Sequence, residues 1–302
     1  MFNSFFKNAS VFAQFLTLLA VIALSRIIAL MAGSLLILVK FGFSVDILEI
    51  QQHIADYPDM LRGIQFLQEL GVFIFPAVIC AGLFSDNYKE YLHIDSPVYF
   101  PVVVWTSVSI ISVIPFLNFT YYFNRQMVLP EALKGLEVHL QEMEQSAAQL
   151  TEAMLATDNW EVQIFNIILM CVLAAVGEEF MFRGMLQNLF GRFVRNPHIV
   201  IWTVAVLFSA FHLQFYGFVP RLLLGAYLGY LLYYTKTIWI PVVAHFVNNL
   251  FGVLSYYVFQ DDPQRMQEID TVGTGATEWV AIVSLVVFIF CFRQIKTETS
   301  KI

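Results

Sequence analysis

The chain has 302 residues, 59% of them hydrophobic and only 13% charged, with thirty phenylalanines and a formal net charge of -7. No water-soluble domain of this length carries so apolar a composition, so the expected class is an all-α, polytopic membrane protein, a single membrane-embedded domain over residues 1–302. A strongly basic patch is missing, which argues against a nucleic-acid partner.

Runs of about 20 apolar residues are long enough to cross a bilayer as helices. Eight such runs are predicted, near residues 10–39, 64–85, 98–123, 161–190, 198–215, 217–235, 238–259 and 277–293. The first is too long for a signal-peptide core and is expected to be a retained helix. Arg26 interrupts it, and must snorkel, pair with an acid or line a wet cavity. Cys80, Cys171 and Cys291 fall inside apolar runs without metal-ligand spacing and are expected to be buried packing residues.

With eight spans both termini share one side. Lys7, Lys89, Arg192, Arg195, Lys236 and Arg293 fall there, so the termini are expected to be cytoplasmic. The opposite loops hold most of the acid, including Asp59, Glu137, Glu144 and Asp270, which are expected to be solvated charges with no chemistry implied. The longest loop, 125–160, sets Leu136, Leu140, Met143, Ala147, Leu150 and Met154 at spacings of three and four, the pattern of an amphipathic extramembrane helix. Simple packing is weighted above substrate gating for it. Gly225 and Gly229 form a GxxxG pattern that lets one helix backbone approach another.

The chemistry is expected between residues 160 and 260, the catalytic core helices. Glu178 and Glu179 are adjacent in an apolar run, where an ionisable side chain costs about 2.5–3.5 kcal/mol and by default marks function. Neighbouring helix residues point about 100° apart, so the two carboxylates cannot share a face. Glu179 and Arg183 stand at i and i+4, in the order that favours an ion pair, and are assigned to the scaffold. Glu178 falls outside that pairing geometry and is the candidate proton acceptor.

Phe208 lies one turn before His212 and can wall or stack on its ring; His245 and Asn249, again at i and i+4, project from one face of their helix. Asn248 points elsewhere and is expected to be a bystander. Glu178 is 14 residues from Arg192 and His212 is 15 from Pro197, about 21–23 Å along each helix from one turn, so the set could converge at one depth. It offers a carboxylate, two imidazoles and an amide, with no serine or cysteine placed as nucleophile. Activated water is therefore the expected attacking group, deprotonated by Glu178 with His212, while His245 and Asn249 donate to the oxyanion. Alternatively Glu178, His212 and His245 could hold a zinc ion that acidifies the water; no HExxH motif is present, so the metal stays open.

At these residues the chain resembles the CAAX protease and bacteriocin-processing family of intramembrane proteases, which includes the Ras-converting CAAX prenyl endopeptidase. Its EExxxR motif reads as Glu178, Glu179 and Arg183, its FxxxH motif as Phe208 and His212, and its HxxxN motif as His245 and Asn249. The resemblance covers residues 165–255. It implies an eight-helix bundle with a site open to the cytoplasmic leaflet, and both metal-dependent and metal-free glutamate mechanisms are attributed to the family. The implied partners are a peptide or protein substrate at the membrane and the bilayer itself, with oligomeric state and substrate identity outside what the sequence carries. The competing readings are a non-catalytic binding or immunity protein, which would be expected to lose a base or an oxyanion donor, and a proton-coupled transporter, which predicts two related halves.

Overall fold

The structure, a computed structural model, describes residues 6–301. Among the described residues it is helical throughout, with no strand. Ten helices organise it: α1 Val11–Phe41, α2 Pro58–Phe84, α3 Phe100–Arg125, α4 Lys134–Leu155, α5 Trp160–Gly191, α6 Pro197–Phe211, α7 Phe218–Thr235, α8 Trp239–Phe259, α9 Pro263–Thr271 and α10 Glu278–Thr299. Each of the eight predicted apolar segments holds a helix. Six of them, α1, α2, α3, α5, α8 and the stretch Gly275–Thr299 that contains α10, are long and apolar enough to cross a membrane. The count of eight crossings rests on the other two: α6 has 15 residues, and α7 carries Arg221 and four tyrosines that dilute its apolar character.

Local chemistry sets the ends. Ser10, Asn159 and Asn196 cap α1, α5 and α6 by accepting a hydrogen bond from a first-turn N–H, a strongly preferred arrangement at an N-cap. Pro58 and Pro197 sit in the first turn of α2 and α6, where a missing N–H costs nothing. α1 stops at Gly42, whose φ of 91° is open to glycine, and α7 stops at Lys236 in the left-handed region.

The chain divides into two compact units. The first comprises Met1–Asp95 with Ala148–Arg195. In it α1 presents a narrow buried stripe through Gln14, Leu18, Ala29, Gly33 and Ile37, while Arg26 lies on its exposed side. α1 and α2 meet at Gly71, where a Cβ would come within 2.7 Å of Ala29 Cβ and 3.0 Å of the Ser25 carbonyl, so only glycine permits this approach. Leu61, Met154 and Leu169 form a core in which α2, the end of α4 and α5 meet. Arg62 clamps the same place: its Nε donates to Asn166 Oδ1 at 2.9 Å, its Nη1 to Asp59 Oδ1 at 2.9 Å and its Nη2 to the Met154 carbonyl at 2.5 Å. That carbonyl belongs to the last turn of α4, which has no partner inside its own helix.

The second unit comprises Ser96–Ala147 with Asn196–Ile302. Its core gathers Ile110 of α3, Leu228 and Leu231 of α7, Ala244 of α8 and Ile295 of α10, all buried. The GxxxG expectation holds at Gly225, where a Cβ would lie 3.0 Å from Phe208 Cδ1 and 3.3 Å from Ala205 Cα of α6. Pro115 interrupts α3, and a side chain from α10 repairs the ladder beside it. The Ser284 hydroxyl donates to Ser112 O at 2.6 Å and accepts from Phe116 N–H at 3.3 Å.

Two expectations need correction. α6 ends at Phe211, so the run 198–215 is helical only in its first part and His212 is the C-cap residue; Leu213 turns the chain with φ 54°. Glu144 is more than a solvated acid, because its Oε2 accepts the Tyr216 backbone N–H at 2.9 Å, just before α7 begins.

Candidate active site

The glutamate pair sits on the last residues of an α-helical stretch, Ala174–Glu179, held between two π-helical stretches of α5, Ile168–Leu173 and Phe180–Gln187. π turns are rare and appear mostly at functional sites, because one widened turn re-aims the side chains that follow. They also advance less per residue, so the straight-helix depth of Glu178 below Arg192 is an overestimate. A third π stretch, Glu69–Ile74 of α2, packs against the pair. The approach is made at Gly177, where a Cβ would lie 3.1 Å from Phe73 Cβ, 3.3 Å from Ile74 Cγ1 and 3.7 Å from Glu69 Oε2.

Glu178, Glu179 and Arg183 are all buried, the last two with no exposed surface. Arg183 Nη1 donates to Glu179 Oε1 at 2.9 Å, the ion pair expected from their spacing. A hydrogen-bonded pair of opposite charges is the form in which two ionised groups tolerate burial. Phe73 and Phe182 lie with ring centroids 6.4 Å apart and wall this polar core.

In the second unit one aromatic ring serves both histidines. Phe208, 1% exposed, meets His212 edge-on with centroids 5.1 Å apart and His245 edge-on at 5.9 Å. The wall expected for one histidine is therefore shared by two, and Gly225 backs the same ring. His212 Nδ1 lies 2.9 Å from the Phe208 carbonyl oxygen. A carbonyl only accepts, so Nδ1 carries the hydrogen and Nε2 is the nitrogen with the lone pair. This bond also satisfies a last-turn carbonyl of α6.

The loop that follows His212 is tied on three sides. Asn124 of α3 donates to the Phe215 carbonyl at 2.6 Å, Ser209 Oγ donates to the Phe218 carbonyl at 2.6 Å, and Gln141 of α4 donates to the Tyr216 hydroxyl at 2.7 Å beside the Glu144 bond. The first half of α4 thus braces the segment after the histidine. His245 is buried and Asn249 half-buried on α8. Asn248 is not a bystander: its Nδ2 donates to Asn249 Oδ1 at 3.2 Å, which makes that oxygen the acceptor end and Nδ2 of Asn249 the end that donates.

The candidate residues therefore form two sets, Glu178, Glu179 and Arg183 in the first unit and Phe208, His212, His245 and Asn249 in the second. Among the described residues no three His, Cys, Asp or Glu side chains are gathered as a metal site. The zinc donors expected from sequence, Glu178, His212 and His245, are divided between the two units. Glu69 has no place in the motif-based reading, although Asp59, Arg62, Gln65 and Glu69 at spacings of three, three and four mark one polar face of α2 that enters the apolar run.

Residues 160–251 match the family model described as type II CAAX prenyl endopeptidase, Rce1-like. The uncharacterized protein YpbD of Bacillus subtilis (strain 168) is 30% identical over 86 residues, 27% of this chain and 41% of that relative. The chain thus spans less than half the length of the curated relative it matches. No solved structure matches it. The apolar helices together with this match describe an integral, multi-pass membrane protein. Residues 160–251, which enclose the EExxxR, FxxxH and HxxxN motifs, are thus the part of the chain that is similar to the Rce1-like type II CAAX prenyl endopeptidase family.

Proposed function

We propose that the chain is an intramembrane endopeptidase that hydrolyses a peptide bond of a membrane-associated or lipidated protein. The observation that carries this is that the Rce1-like stretch encloses every motif residue from Glu178 to Asn249, none of them replaced. In this reading Glu178 takes a proton from water, with His212 Nε2 as the second acceptor. The hydroxide adds to the carbonyl carbon, and the oxyanion receives hydrogen bonds from His245 and from Asn249 Nδ2. Collapse of the intermediate releases the amine with the proton returned from Glu178 or His212. Zinc on Glu178, His212 and His245 is the metal-assisted variant of the same proposal; metal content of purified protein and cleavage in chelator test it.

The main test is cleavage of membrane-anchored peptides in liposomes. Glu178→Gln and His212→Ala should each lose about 10²–10⁴-fold, the usual share of a general base, and Asn249→Ala about 10²–10³-fold, that of an oxyanion donor. Full cleavage by Glu178→Gln or His212→Ala overturns the mechanism. A wild-type protein that binds but never cleaves membrane peptides returns the non-catalytic binding reading. Both termini are proposed to be cytoplasmic, which reporter fusions at each end test.

A further inference from the structure

α2 carries a polar stripe from its outer end to mid-helix. Asp59 is exposed, Arg62 buried, Gln65 half-buried and Glu69 buried, and ten residues at 1.5 Å each make the stripe about 15 Å long. Its start opens on a cavity of about 280 Å³ whose lining includes Asp59, Arg62, Gly63 and Glu161. A site needs about 10–15 Å³ and two to four polar partners to hold a water, and this one has the volume, with Asp59, Arg62 and Glu161 on its wall. Deeper in, Gln65 Nε2 donates to Glu69 Oε1 at 2.9 Å. The other oxygen of Glu69 faces the Gly177 backbone, 3.7 Å from where a Cβ would stand, one residue before Glu178. Arg62 accounts structurally for Asp59, Asn166 and the Met154 carbonyl. Gln65 and Glu69, bonded to each other, lie one and two turns beyond that clamp and carry the polar face of α2 on into the apolar span.

We infer that a hydrated polar path enters the first unit beside Asp59 and Glu161, follows Gln65 and Glu69 along α2, and supplies water to Glu178. Hydrolysis consumes one water for each bond cleaved, its hydroxyl going to the acyl carbon and its hydrogen to the amine. A route separate from that of the peptide would let water be replaced while substrate occupies the site. This supply role rests on the endopeptidase reading above; the hydration of the path does not.

The test is labelling of single cysteines by a charged methanethiosulfonate in the full-length protein, with the unsubstituted chain and its buried native thiols as background. Gly63→Cys and Gln65→Cys should react about tenfold or more faster than Phe66→Cys on the apolar face of α2, because each unit by which apolar surroundings raise a thiol's pKa removes a factor of about ten in thiolate. The same contrast is expected in a Glu178→Gln background, so an inactive enzyme still reports on the path. Equal rates at Gln65→Cys and Phe66→Cys, with Gly63→Cys as slow and each protein eluting as a folded species, overturn the path. Labelled Gln65→Cys protein that cleaves peptide at the unlabelled rate overturns its role in supply.

Discussion

Replacing Arg183 by glutamine isolates what the buried ion pair does. Arg183 and Glu179 have no exposed side-chain surface and meet at 2.9 Å. Removing one partner of such a pair leaves a charge in apolar surroundings and costs about 3–5 kcal/mol, whereas removing both charges leaves two neutral amides that can bond to each other. At roughly 2–4 °C per kcal/mol, the single variant should melt on the order of 6–20 °C below wild type. The double variant Glu179→Gln/Arg183→Gln should fall within about 1 kcal/mol of wild type, a coupling of at least 2 kcal/mol in the cycle. The assay is thermal unfolding in detergent, followed by tryptophan fluorescence with size-exclusion controls. Glu178→Gln, by contrast, should melt near wild type while losing cleavage. An Arg183→Gln protein destabilised by less than about 1 kcal/mol, or a double variant that loses the sum of the two singles, refutes the assignment of this pair to the scaffold.

Gly225→Ala should push on Phe208 and on the α6 backbone, costing about 1–3 kcal/mol and lowering kcat more than it raises KM, because the displaced ring touches both histidines; a variant with wild-type kcat in the peptide assay contradicts this. Glu144→Ala should loosen the segment after His212 and destabilise the chain by about 1.5–3 kcal/mol, the range for a hydrogen bond to a charged group, read by melting and by faster proteolysis of that loop. Asp270, in α9, keeps exposed surface, and partial burial of its carboxyl pushes it up from its ordinary 3.8. The folded state then holds a proton that the unfolded chain releases, so stability falls as pH rises through that window. Asp270→Asn should accordingly melt higher than wild type at neutral pH and show no advantage in acid below the ordinary carboxylate range; an equal gain at both pH values points to another cause.

How much of the molecule is legible in its sequence follows from the range of the interactions involved. Apolar runs of span length and i, i+4 pairs are local, so the eight helices, the Glu179–Arg183 bond and the Phe208–His212 contact can all be read from spacing. The π stretches are not legible, because a widened turn leaves no residue signature. Glu144 reads as a solvated acid because its partner is 72 residues away. α6 looks longer in sequence than it is because Leu213 and Phe215 continue the apolar run, while the turn that ends it is held by Ser209 and Asn124. Glu69 is hidden because an apolar span beginning at residue 64 cuts off Asp59 and Arg62, and with them the stripe to which it belongs.

The serine that bridges the break at Pro115 has a consequence for synthesis. Ser284 is 168 residues downstream of Phe116, on the last helix. At translation speeds of about 5–20 residues per second, α3 waits roughly 8–34 s for the hydroxyl that closes its ladder. During that interval a nascent α3 carries an open carbonyl and N–H within the bilayer, where each is costly. During that time α3 depends on the insertion machinery or a chaperone to shield it, and the arrival of Ser284 rather than the emergence of α3 is the moment at which the second unit can complete itself.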